Sequence, residues 1–268
     1  MSSTKSSFRR VIHLYVKRAH LLIFVNLLLL GLSCDSDDPV SVNNNTNGNN
    51  TGEVGTVTDI DGNVYLTVKI GNQVWTVEDL RTTRYNDGSA IPLVTDNTVW
   101  STLSTPGYCN YNNTTNADTI KKFGALYNWY AVNTDKLAPK GWHVPSSEDW
   151  DILQKYLIDN GFNWDGTTTG NKIAKSMAAK SNWKTSNNPG AIGNGLNSNN
   201  RSDFSALPDG SRWGTGDFSG RGDDGHWWST TGYDANAFSY YLLYSSESLS
   251  RHGHGKNSAF SVRLVKGN

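Results

Sequence analysis

Cysteine and histidine, the side chains most often used for nucleophilic and metal chemistry, are scarce in this 268-residue sequence, at two and six copies. Cys34 closes an apolar run, while Cys109 stands between tyrosine and asparagine. With Cys34 committed elsewhere, Cys109 could form neither an intramolecular disulfide nor a cysteine-pair metal site. His252-Gly253-His254 places two imidazoles on one side of an extended segment, as a metal clip would, but two ligands are an incomplete site and no third is identifiable. A polar hairpin turn is the expected role. Asp59, Asp61 and Asn63 match half a calcium loop without its other ligands or its closing glutamate. Asp61-Gly62 instead suits a hairpin, because glycine supplies the left-handed backbone that such turns need. His143 and His226 adjoin aromatic residues and are expected to pack rather than catalyse, and no Ser, His and acid spacing of a hydrolase stands out. No metal and no cofactor are expected. Arg221-Gly222-Asp223 is a chance product of a glycine-rich stretch.

Aromatic side chains are the richer resource. Trp142, Trp150, Trp227, Trp228 and Phe260 lie in regular patterns and are expected in the core, because aromatic rings bury large areas. Trp100, Trp164, Trp183 and Trp213 lie in polar, glycine-rich stretches and are the candidate ligand contacts, as flat rings that could stack on sugar faces or on a partner chain. Their competing role is to pin long loops to the body of the domain.

The elements that would position these residues begin with an N-terminal leader. Residues 1–33 hold Lys5, Arg9, Arg10, Lys17 and Arg18, no acidic residue, and the apolar run Leu21 to Leu32. That is the charged-then-apolar order of a signal peptide, and a run of a dozen residues, interrupted by Asn26 and Gly31, falls short of the roughly 20 that span a bilayer as a helix. Leu30-Gly31-Leu32-Ser33-Cys34 resembles a relaxed bacterial lipobox, which makes Cys34 the lipid-attachment residue of an outer-membrane lipoprotein. The acidic Asp35-Ser36-Asp37-Asp38 resembles the export signal of surface-exposed lipoproteins. Loss of the leader removes five of 24 basic residues, leaving 19 against 24 acidic, so no basic stripe remains for nucleic acid. Residues 34–53 have almost nothing to bury and are expected to form a disordered stalk.

Residues 54–268 contain all ten tryptophans, enough apolar area for one buried domain. Val57–Ile60, Val64–Ile70 and Gln73–Val77, broken by Asp-Gly and Gly-Asn, predict a β-meander. Ser146 to Asn160 predicts a helix: Ser146 caps it with Asp149 three residues on, Trp150, Leu153 and Leu157 share a face, and Gly161 ends it. Shorter helices are expected at 171–180 and 124–131, and strands at 226–230, 237–244 and 259–265.

Val68-Lys69-Ile70-Gly71-Asn72-Gln73-Val74-Trp75, Gly124-Ala125-Leu126-Tyr127-Asn128-Trp129, Gly141-Trp142-His143-Val144-Pro145-Ser146, Phe204-Ser205-Ala206-Leu207-Pro208, Trp227-Trp228-Ser229-Thr230 and Phe260-Ser261-Val262-Arg263-Leu264-Val265 together resemble the Fibrobacter succinogenes major paralogous domain, over about 55 to 266. That family is similar to the formylglycine-generating enzymes, a variation on the C-type lectin. The resemblance implies an α+β domain with twisted antiparallel strands, one or two helices and long loops. It does not bring copper chemistry with it, because those enzymes hold Cu(I) with two cysteines and this domain has only Cys109. The ligand motifs of calcium-dependent lectins are also missing. Anchor, stalk and aromatic loops together lead to the expectation of a non-enzymatic extracytoplasmic binding module for a polysaccharide or a cell-surface protein. The alternatives are an enzyme of unknown type on the same fold, or a structural or adhesion domain without a small ligand.

Overall fold

The computed structural model describes residues 55–267. The expected signal peptide (1–33), the Cys34 lipid site and the stalk (34–53) lie outside the described residues. The meander opens the domain: β1 (Gly55–Thr58), β2 (Val64–Ile70) and β3 (Gln73–Thr76) pair antiparallel. Tyr65, Thr67, Val68 and Ile70 of β2 turn inward. At the first turn the Asp59 carboxylate accepts from the Asp61 and Asn63 main-chain N–H groups at 2.9 Å each, from Asn63 Nδ2 at 2.8 Å and from the Tyr65 hydroxyl at 2.6 Å. Asp61 pairs with Arg84 at 2.5 Å and accepts from Thr82 and Thr83. Protein donors occupy both carboxylates, so this is a hairpin and not a cation loop.

Three antiparallel sheets follow. The meander continues through β13 (Val265–Lys266) to β6 (Trp142–His143). A second sheet holds β9 (Asp224–Tyr233), β10 (Asn236–Leu243) and β11 (Ser250–Gly255). A third orders β4 (Tyr108–Cys109), β5 (Leu126–Asn128), β12 (Ala259–Phe260), β7 (Ser211–Arg212) and β8 (Phe218–Ser219) as β4-β5-β12-β7-β8. The C-terminal segment joins all three: β12 lies in the third sheet, Ser261 bridges Trp227 of β9, and β13 enters the first. Helices are few and short, and the fold is a β-rich α+β arrangement.

The longest helix, α4 (Ser147–Asp159), has the predicted capping box: Ser146 Oγ accepts from the Asp149 N–H and the Asp149 carboxylate accepts from the Ser146 N–H. Its buried stripe is Trp150, Leu153 and Leu157. Trp150 meets Trp75 at 4.9 Å and stacks on Tyr240 at 5.1 Å between ring centroids, and Phe204 and Trp227 complete this aromatic core.

Three expectations are corrected. Residues 124–131 are not a helix: Leu126–Asn128 is β5, held between β4 and β12, and only Trp129–Val132 turns helical, behind an Asn128 side chain that accepts from the Ala131 N–H at 3.0 Å. At 171–180 only Ala174–Met177 is helical, because its flanks bond outward, Ala174 N–H to Glu247 and Ala179 N–H to Ala206. His252 and His254 lie on β11 and not in a turn. The sequence gives no warning of a helix at Ala117–Phe123, which Asn116 caps.

The center of the fold is polar. Arg263, wholly buried, donates Nε to Asp79 Oδ1 at 2.5 Å and its other nitrogens to the carbonyls of Thr76, Val77, Phe204 and Ser205. Trp227 Nε1 donates to the same Asp79 oxygen at 2.7 Å. Burial, reinforced by the Asp79 charge, pushes the Asp209 carboxyl well above the usual carboxylate range. Asp79 Oδ2 and Asp209 Oδ1 have no nitrogen or hydroxyl partner among the described residues, and the neighboring Asp79 carboxyl adds to the rise at Asp209.

Candidate binding site

Strand β6 is two residues long and fixed at both ends. Gly141 enters it at φ +83°, a conformation glycine adopts without strain, and Pro145 and Ser146 lead from it into α4. Pairing with β13 holds its register, Trp142 opposite Lys266 and His143 opposite Val265. Trp142 is half-buried and His143 exposed. With Val132, Asp135, Leu137, Ala138, Val144 and Thr230 they line a pocket of about 350 Å³, within the range of small-ligand sites.

The pocket has two kinds of lining. Val132, Leu137, Ala138 and Val144 are buried and aliphatic. Asp135, Trp142, His143 and Thr230 are exposed or half-buried. The Asp135 carboxylate, the Trp142 indole N–H and the Thr230 hydroxyl have no hydrogen-bond partner among the described residues. The walls are well tied: Thr134 Oγ1 donates to Ala131 O at 2.8 Å, Asn86 Nδ2 to Ala138 O at 3.1 Å, and the Thr230 N–H to Pro145 O at 2.9 Å. His143 Nε2 lies 3.2 Å from Asp149 Oδ2, which also accepts from the Ser146 hydroxyl at 2.7 Å. Serine and imidazole therefore address one carboxylate oxygen, whereas a hydrolytic triad needs the imidazole between serine and acid. This trio is a helix cap.

A second cluster lies on the other sheets. His226 of β9 stacks on Tyr241 at 5.0 Å and on Phe260 at 4.8 Å, and meets His254 edge-on at 5.6 Å, with His252 4.9 Å beyond. Burial, then the neighboring histidines, depresses His226 to about 3, and burial followed by His252 depresses His254 to about 4. Burial, then Asp223, raises Asp224 to about 6. Asp224 Oδ1 is 3.7 Å from His226 Nε2, too long for a hydrogen bond. Among the described residues no group of three or more His, Cys, Asp or Glu is placed to hold a metal ion. Cys109 is buried, which pushes its thiol up to about 12.

The four candidate tryptophans separate. Trp100 is fully buried, with Arg212 4.3 Å above its ring and its Nε1 donating to Asn257 O at 2.8 Å. Trp183 is buried and donates to Ala206 O at 3.1 Å. These two are loop anchors, and the expectation that they contact a ligand is corrected. Trp213 is half-buried against His226, His254 and Phe260, with Nε1 on Ser219 Oγ. Trp164 is 42% exposed; its Nε1 donates to Glu247 Oε2 at 2.6 Å and its pyrrole edge lies over Gly190, where a Cβ would come within 2.2 Å. No two of the four rings are in contact. Trp142, expected in the core with Trp150, Trp227 and Trp228, is half-buried against a core cluster and also lines the pocket.

The Fibrobacter succinogenes major domain model matches residues 68–266. No curated protein and no solved structure matches the chain. The matched span runs from within β2 through β13 and takes in every residue lining the pocket. The chain belongs to the Fibrobacter succinogenes major domain family.

Proposed function

We propose that this protein is a non-enzymatic binding module, anchored outside the cytoplasm by lipid on Cys34, that takes a saccharide unit of a polysaccharide in the Trp142 pocket. One observation carries the reading: a pocket of about 350 Å³ combines an indole wall with a carboxylate, a hydroxyl and an indole N–H that have no partner among the described residues. Sugars present apolar C–H faces and hydroxyl edges, which such a wall and rim complement. Asp209, His226 and His254, whose titration is strongly displaced, do not line the pocket, which favors recognition over proton transfer there. Trp164 offers a second rigid stacking surface. The same reading includes a C-type-lectin-like arrangement of the sheets around α4, supported by the family's Gly-Trp-x-x-Pro-Ser entry into that helix.

A glycan array probed with the full chain and with Trp142→Ala tests the function. Binding to a defined set of glycans is expected, at least tenfold weaker in the variant at unchanged melting temperature. No bound glycan would overturn the saccharide reading and leave a protein partner. Anchoring is tested by metabolic labeling with palmitate: label in the wild type and none in Cys34→Ala is expected, and an unlabeled wild type overturns it.

A further inference from the structure

Resting on the saccharide reading, we infer that the unit taken by the Trp142 pocket is an N-acetylated amino sugar. A plain hexose presents hydroxyls around its whole edge, and each needs a hydrogen-bond partner once water is excluded. The buried side chains of the lining offer none: Val132, Leu137, Ala138 and Val144 are aliphatic and 7% exposed or less. That surface suits a methyl group, which gains from leaving water.

An acetamido group carries such a methyl beside one donor and one acceptor. The rim supplies the opposite of each. The Asp135 carboxylate can accept an amide N–H, while the Thr230 hydroxyl and the Trp142 Nε1–H can donate to an amide carbonyl; none of the three has a hydrogen-bond partner among the described residues. Lys136, the nearest cation in sequence, is held 2.8 Å from Asp87, so it does not neutralise Asp135. The half-buried Trp142 indole remains for the C–H face of the sugar ring. A free amino sugar would satisfy Asp135 by charge and leave the aliphatic floor unfilled, so the acetylated and free amines separate the two contributions.

The experiment is saturation-transfer NMR and competition with the full chain, using methyl N-acetylglucosaminide, methyl glucosaminide and methyl glucoside. The acetyl methyl is expected to receive the largest transfer, the N-acetyl compound to bind at least tenfold tighter than the other two, and Thr230→Val and Trp142→Ala each to weaken it at least tenfold at an unchanged melting temperature. Equal binding of all three, preference for the free amine, or transfer confined to ring protons overturns the inference and leaves the saccharide reading standing. Glycan binding on the array with none by the N-acetyl compound does the same. Absence of any saccharide binding overturns both.

Discussion

Asp79 and Asp135 are both carboxylates beside a tryptophan, and their surroundings are opposite. Asp79 accepts from Arg263 and Trp227 at 2% exposure, beside the buried Asp209 carboxyl. Asp135 is exposed at the pocket and no donor among the described residues reaches it. A buried charge costs several kcal/mol unless it is paired and hydrogen-bonded, so the saturated group belongs to folding. An exposed carboxylate keeps its water and loses little by lacking a partner, which leaves it free to address a ligand. Polar chemistry in this domain is thus divided by saturation rather than by residue type.

Breaking the saturated side has the largest expected effect. Arg263→Met strands the Asp79 charge with only the Trp227 N–H and is expected to cost about 3–5 kcal/mol in urea unfolding. A loss of less than about 1 kcal/mol would mean that Asp79 is stabilised without the arginine, by Trp227 and by a change in its own protonation.

Titration sharpens the contrast within the buried set. His226 and His254 are depressed to about 3 and 4 from an ordinary value of 6.5, so their contribution is present above about pH 6.5 and is lost as pH falls toward those values. Asp209 and Asp224 are raised, so theirs is present below about pH 3.9 and is lost as pH rises through the raised values. Between about pH 4 and 6 the two sets oppose. Asp224→Asn removes one acid, so melting temperature followed over this window should rise with pH more steeply in the variant than in the wild type. Parallel profiles would show that Asp224 titrates normally.

The smallest effect is expected at the open side. Asp135→Asn should leave stability within about 0.5 kcal/mol, since Asn tolerates the left-handed backbone at that position (φ +57°). Calorimetric melting checks this, and a larger loss would place Asp135 among the structural carboxylates.

What the sequence discloses is what local chemistry decides. Ser146 and Asp149 are three residues apart and close their own cap, so α4 is legible to its ends, and the Asp-Gly turn marks the first hairpin. Leu126–Asn128 looked helical because the partners that make it a strand, β4 and β12, lie about 18 residues before and 130 after it. Trp100 sits in a polar stretch, yet its indole N–H reaches a carbonyl 157 residues away, a contact no local pattern announces. The candidate site was the least legible part. Its walls come from 132–138, 142–144 and Thr230, and Trp142 has the same motif character as its buried relatives, so only assembly shows that one face stays open.

The order in which the chain is made gives the C-terminal segment a further meaning. Thr76 exchanges hydrogen bonds with Leu264, 188 residues later, and the three sheets share Ala259–Lys266 as their common seam. Contacts of such separation form slowly, because loop closure precedes any gain. A nascent chain lacking Ala259–Lys266 cannot close this seam. For a protein exported as proposed above, that delay is useful: the domain remains threadable until Ala259–Lys266 is available, and locks only when that segment pairs.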